Sequence, residues 1–102
     1  MAYAISATYT VKPGEEAAVE TALLTMRDLT CREPACILYE AHRSVEDPQV
    51  FFLYELYQDE SGFRAHIATE HFTRHIKGEV WPRLQERRRV IGEPLAAAPV
   101  RA

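Results

Sequence analysis

Residues 50–57, Val-Phe-Phe-Leu-Tyr-Glu-Leu-Tyr, constrain the fold more than any other stretch of the chain. The run is short, aromatic and bounded by turn residues, which predicts a strand. Successive strand side chains point to opposite faces. Val50, Phe52, Tyr54 and Leu56 therefore share one face, and Phe51, Leu53 and Tyr57 the other. A strand with one face in water alternates apolar and polar residues; this one asks for cover on both sides. Helices of the same chain can cover one side, and a second copy in a symmetric dimer is the simplest cover for the other. Glu55 is the exception, a carboxylate on the face of Phe51, Leu53 and Tyr57. A carboxyl among apolar neighbours needs a raised pKa or a partner.

The neighbouring segments supply the rest of a sheet. Residues 2–11 alternate, with Tyr3, Ile5, Ala7, Tyr9 and Val11 on one face, and Lys12-Pro13-Gly14 stops them. The period then becomes helical, with Val19, Ala22, Leu23, Met26 and Leu29 on one stripe, until Pro34. Residues 37–44 form a second strand, joined to 50–57 by a hairpin through Val45-Glu46-Asp47-Pro48-Gln49. Asp59 caps a short helix carrying Phe63, His66 and Ile67. Thr69 caps another with an i, i+4 row of Phe72, Ile76 and Val80, ended by Pro82. Residues 88–94 are the last strand. The order β-α-β-β-α-β, with its second helix broken in two, predicts an α+β, ferredoxin-like antiparallel sheet with helices on one face. It occupies residues 1–95 as one domain, with a frayed tail at 96–102.

Composition narrows the function. The chain has 102 residues, 47% hydrophobic and 26% charged, as expected of one folded domain. A formal charge of -3 argues against a phosphate-backbone binder, so no nucleic-acid partner is expected. No apolar run reaches the ~20 residues of a membrane helix. The first ten residues lack a signal-peptide pattern, so a cytoplasmic location is expected. Cys31 and Cys36 match neither a redox CxxC pair nor a zinc framework, and are expected as reduced, packed thiols. Glycines stand singly, without a phosphate-binding loop.

Several short motifs, in order, resemble the antibiotic biosynthesis monooxygenase (ABM) family: Glu33-Pro34-Ala35-Cys36-Ile37-Leu38-Tyr39-Glu40, then Tyr54-Glu55-Leu56-Tyr57, then Ala65-His66 and Thr69-Glu70-His71-Phe72. The resemblance runs from about Tyr3 to Leu95. It implies a homodimer of ferredoxin-like subunits whose sheets pack into an α+β barrel. It also implies cofactor-free oxygenation of quinols or polyketide aromatics with O2, without a cofactor or a metal. Haem-degrading relatives carry an Asn where this chain has Ala7, and the polyketide-oxidising branch carries an Asn and a Trp where it has Leu53 and Tyr57.

The candidate catalytic residues are His66, His71, Glu55 and Tyr57. Histidine moves protons near neutral pH, and Glu55 could serve as a base. Tyr39, Phe63, Phe72 and Trp81 are candidates to line a pocket for a flat aromatic substrate. His71 and His75, with Glu70 or Glu79, make only half a metal site. The arginine-rich run 83–89 is expected on a solvated or dimer-bridging surface. The leading expectation is a cofactor-independent monooxygenase. The alternatives are a non-catalytic protein holding an aromatic metabolite, or an isomerase acting on a small polar one.

Overall fold

A computed structural model describes residues 1–96; all of the expected tail but Ala96 lies outside the described residues. The alternating segments form strands β1 (Tyr3–Val11), β2 (Cys36–Arg43), β3 (Val50–Tyr57) and β4 (Leu84–Gly92). They pair antiparallel in the order β2-β3-β1-β4. Helices α1 (Glu16–Thr30), α2 (Glu60–Ile67) and α3 (Phe72–Val80) complete the ferredoxin-like fold. Among the described residues, no helix is long and apolar enough to cross a membrane.

The faces sort as the alternation requires. Ile5, Ala7, Tyr9 and Val11 of β1 and Phe51, Leu53, Glu55 and Tyr57 of β3 are buried toward the helices. Val19, Leu23 and Met26 of α1 pack with Phe51, Leu53 and Val11, joined by Ile76 and Val80 of α3. Burying each such side chain stabilises the fold by roughly 1.5–3 kcal/mol. Phe52 and Tyr54, on the opposite face, remain 40% and 38% exposed, and the His42 ring stacks on Phe52 at 4.6 Å.

Local chemistry fixes the connections. Gly14 has φ +88, a conformation that favours glycine in the turn after β1. Asp59 caps α2 by accepting from the Gly62 N–H at 3.0 Å. Thr69 Oγ1 accepts from the Phe72 N–H at 3.1 Å, closing the start of the next helix. Gly62 lets α2 lie against the α1–β2 loop, because a Cβ there would stand 2.6 Å from that of Ala35. This close approach brings Glu33 of the loop within reach of α2.

Three expectations are corrected. The strand expected at 88–94 begins at Leu84, so the arginine-rich run is largely β4 itself. The α3 segment is wound as a π-helix rather than an α-helix. Gly78 within it has low α propensity, and the wider turn still buries Ile76 and Val80. Cys31 is exposed rather than packed, whereas Cys36 packs against the core; both are free thiols.

Candidate active site

The helices do not close over the β1–β4 half of the sheet. A cleft of ≈ 480 Å³ remains there. Ile5, Ala7 and Tyr9 form its floor, Phe63 and Ile67 of α2 and Phe72 of α3 its walls, and Trp81 stands edge-on to Phe72 at 6.0 Å. Glu55 reaches the cleft from β3, where it pairs with Ile5 on one side and Tyr39 on the other. Lys77, Arg87, Arg88 and Arg89 line it as well.

Glu55 is only 5% exposed, and burial holds its carboxyl above the usual carboxylate range despite the opposing pull of Tyr57 and His66. Tyr57 Oη donates to Glu55 Oε1 at 2.7 Å, and His66 Nε2 stands 3.7 Å from the same oxygen. Behind it, His66 Nδ1 donates to Glu33 Oε2 at 2.9 Å and His71 Nε2 donates to that oxygen at 2.6 Å. The result is a chain from buried Glu55 and His66 to the partly buried Glu33 and His71. With Nδ1 committed to Glu33, a neutral His66 turns an unprotonated Nε2 toward Glu55. The two histidines hold Glu33 below the usual carboxylate range, against a burial effect of opposite sign.

Three tyrosines border Glu55, and burial and the Glu55 charge push all of them up. Tyr9 reaches about 12, so it stays a neutral hydrogen-bond donor in the cleft.

Glu55, Phe63, Phe72 and Trp81 line the cleft; His66, His71, Tyr57 and Tyr39 do not. His66 is 1% exposed and ringed by aromatic side chains, its ring 5.3 Å from Phe72 and 5.4 Å from Tyr57. Tyr39 packs beside it at 5.9 Å. Direct contact of either histidine with a ligand is therefore replaced by contact through Glu55. Among the described residues, His71 converges with Glu33 and His66 rather than with His75, whose Nδ1 is bonded to Glu79 at 3.0 Å. A metal ion would instead find Glu33, His66 and His71, whose ligand atoms lie within 4.8 Å of one another. Hydrogen bonds between these groups already satisfy that cluster.

The sequence profile of the antibiotic biosynthesis monooxygenase family matches residues 2–78. The chain belongs to this family. Solved structures agree with that membership. A Pseudomonas aeruginosa protein is 28% identical, with 93% of this chain and 95% of that one covered and a TM-score of 0.86. A structure described as an antibiotic biosynthesis monooxygenase is 25% identical, covering 92% and 99%, at a TM-score of 0.86. A Mycobacterium tuberculosis protein shares the fold at 21% identity, covering 97% and 100%, with a TM-score of 0.89. No functionally curated protein matches the chain. The family's matched span ends before Trp81, Arg87 and Arg89, so these cleft residues lie beyond it.

Sequence reasoning gave no role in the site to Glu33, Tyr9 or Lys77, and it expected Arg87 and Arg89 on a solvated or dimer-bridging surface rather than at the cleft. Glu33 stood in a quoted motif, but nothing local in the sequence ties it to histidines more than 30 positions away. Arg87 and Arg89 follow from the register of β4, where they pair with Tyr9 and Ala7 on the cleft side.

Proposed function

We propose that the protein is a cofactor-independent monooxygenase that oxidises a quinol or hydroxy-aromatic with O2. The observation that carries the proposal is Glu55, a buried carboxyl of raised pKa at the inner wall of an aromatic cleft. A base with a raised pKa is better matched to a phenolic proton than an ordinary carboxylate. Tyr57 holds its Oε1, and His66, oriented by Glu33, stands ready to share the proton. His71 acts through Glu33, and Tyr57, His66, Glu33 and His71 are positioning residues.

Loss of the hydroxyl proton to Glu55 leaves an electron-rich phenolate. Tyr9, the neutral donor bordering Glu55, stabilises its charge. The phenolate passes one electron to O2, and the radical pair joins at a ring carbon. One oxygen atom then stays on the ring, giving a hydroxyquinone from a hydroquinone. The other leaves as water, and the quinol supplies the electrons. Phe63, Phe72 and Trp81 wall in the ring and exclude water.

Oxygen-electrode assays with a panel of naphthohydroquinones and anthrones test this reading. The expected result is O2 uptake with an equal amount of oxygenated product, a hydroxyquinone from the hydroquinones and an anthraquinone from the anthrones. Tight binding of the aromatics with no uptake would leave a binding protein instead. The cations of the cleft favour one competing reading, an isomerase moving a proton on a small polar metabolite. Rearrangement without O2 consumption would support it.

A homodimer belongs to the same proposal. Exposed Phe52, Tyr54 and Val90 share the open sheet face and are what a second copy would cover. Sedimentation as a monomer at micromolar concentration would contradict it.

A further inference from the structure

The charge around the cleft is at odds with the charge of the chain. The protein carries a formal -3, yet Lys77, Arg87 and Arg89 converge on one concave site. Among the described residues, none of these three has a carboxylate within 4.0 Å, whereas Arg27, Arg43, Arg64, Arg83 and Arg88 each have one. Arg88 shows the contrast within one strand. It also borders the cleft, but its guanidinium is bonded to Glu86 at 2.8 Å.

The three cations are placed on the aromatic walls instead. The Arg87 guanidinium lies 3.5 Å from the Trp81 ring centroid, and that of Arg89 lies 5.8 Å from Phe63. Lys77 Nζ is 5.9 Å from Phe72 and 6.0 Å from Trp81. A cation over a ring face keeps its charge and remains able to donate hydrogen bonds to a ligand. The only carboxylate lining the cleft, among the described residues, is Glu55. A ligand anion therefore gains at the cations, whereas the Glu55 charge, which Arg89 partly offsets, disfavours an anion next to it.

We propose that the cleft takes an aromatic acid: a planar hydroxy-aromatic whose carboxylate is held by Lys77, Arg87 and Arg89 while its hydroxyl faces Glu55. This rests on reading the cleft as the substrate site and deepens that reading by naming the substrate's charge. Guanidinium groups match a carboxylate in a planar, two-pronged arrangement. The fused ring lies between Phe63, Phe72 and Trp81.

The test uses two air-stable probes of the same ring system, 6-hydroxy-2-naphthoate and 2-naphthol, titrated by calorimetry. The acid is expected to bind about tenfold tighter or better, a difference of about 1.4 kcal/mol. That advantage should shrink as salt is raised. Arg89→Gln and Lys77→Gln should each lower the affinity for the acid by a larger factor than that for 2-naphthol, and so erode the preference. Equal affinity for the two probes, no binding of the acid, or a preference untouched by either substitution would overturn the proposal. Binding and turnover separate the two claims. Acid preference without O2 uptake keeps this inference and removes the monooxygenase. Uptake with neutral quinols and no acid preference does the reverse.

Discussion

The two halves of the layer between helices and sheet are built on different terms. Under α1, Leu23, Met26, Phe51 and Leu53 fill the space with apolar side chains that are at most 2% exposed. Under α2, the apolar cluster shrinks to Ile5, Tyr57 and Phe63, and Glu55 and His66 are buried beside it. Close packing is what a stable core needs, and a cleft with a buried carboxyl forgoes some of it. The first half holds the sheet together; the second spends that stability on a site. The same strand, β3, serves both, with Phe51 and Leu53 at one end and Glu55 and Tyr57 at the other.

The comparison can be broken by substitution in each half. The largest stability effect is expected in the packed half. Leu23→Ala should cost about 2–5 kcal/mol in urea unfolding, because the cavity it leaves cannot collapse well. A loss well under 1 kcal/mol would mean that α1 is not the anchor. A smaller cost belongs to the polar half. Glu33→Ala removes the acceptor of His66 and His71 and should cost about 1–3 kcal/mol near neutral pH. The sign of its pH dependence follows from the lowered pKa of Glu33. Its stabilisation is present above the ordinary carboxylate range and is lost as pH falls through the lowered value. The gap between wild type and Glu33→Ala should therefore close in strong acid. A gap that is constant with pH would show that Glu33 acts by packing alone.

Much of the fold was legible because strand and helix periods differ. The bounds of β3 and the Asp59 cap followed from local chemistry alone. The start of β4 was hidden because residues 84–87 read as part of a solvated, arginine-rich run, with no apolar alternation to mark them as strand. The π winding of α3 was hidden for another reason: Ile76 and Val80 satisfy either period. In the site, Glu55 stood out as a carboxyl in an apolar strand. Its link through His66 to Glu33 was not readable, because it depends on how closely α2 approaches the α1–β2 loop at Gly62.

The central claim is that Glu55 is the base and that its raised pKa comes from burial. Glu55→Gln tests it most directly, with O2 uptake and thermal unfolding measured on the same preparation across pH. The account predicts a loss of turnover of about a hundredfold or more. It also predicts that the variant matches or exceeds wild type in stability as pH rises above the ordinary carboxylate range. The wild-type carboxyl is protonated more readily when folded than when unfolded, so it loses stability as pH climbs through its raised value. Turnover within a few fold of wild type, or a stability difference that does not change with pH, would contradict it.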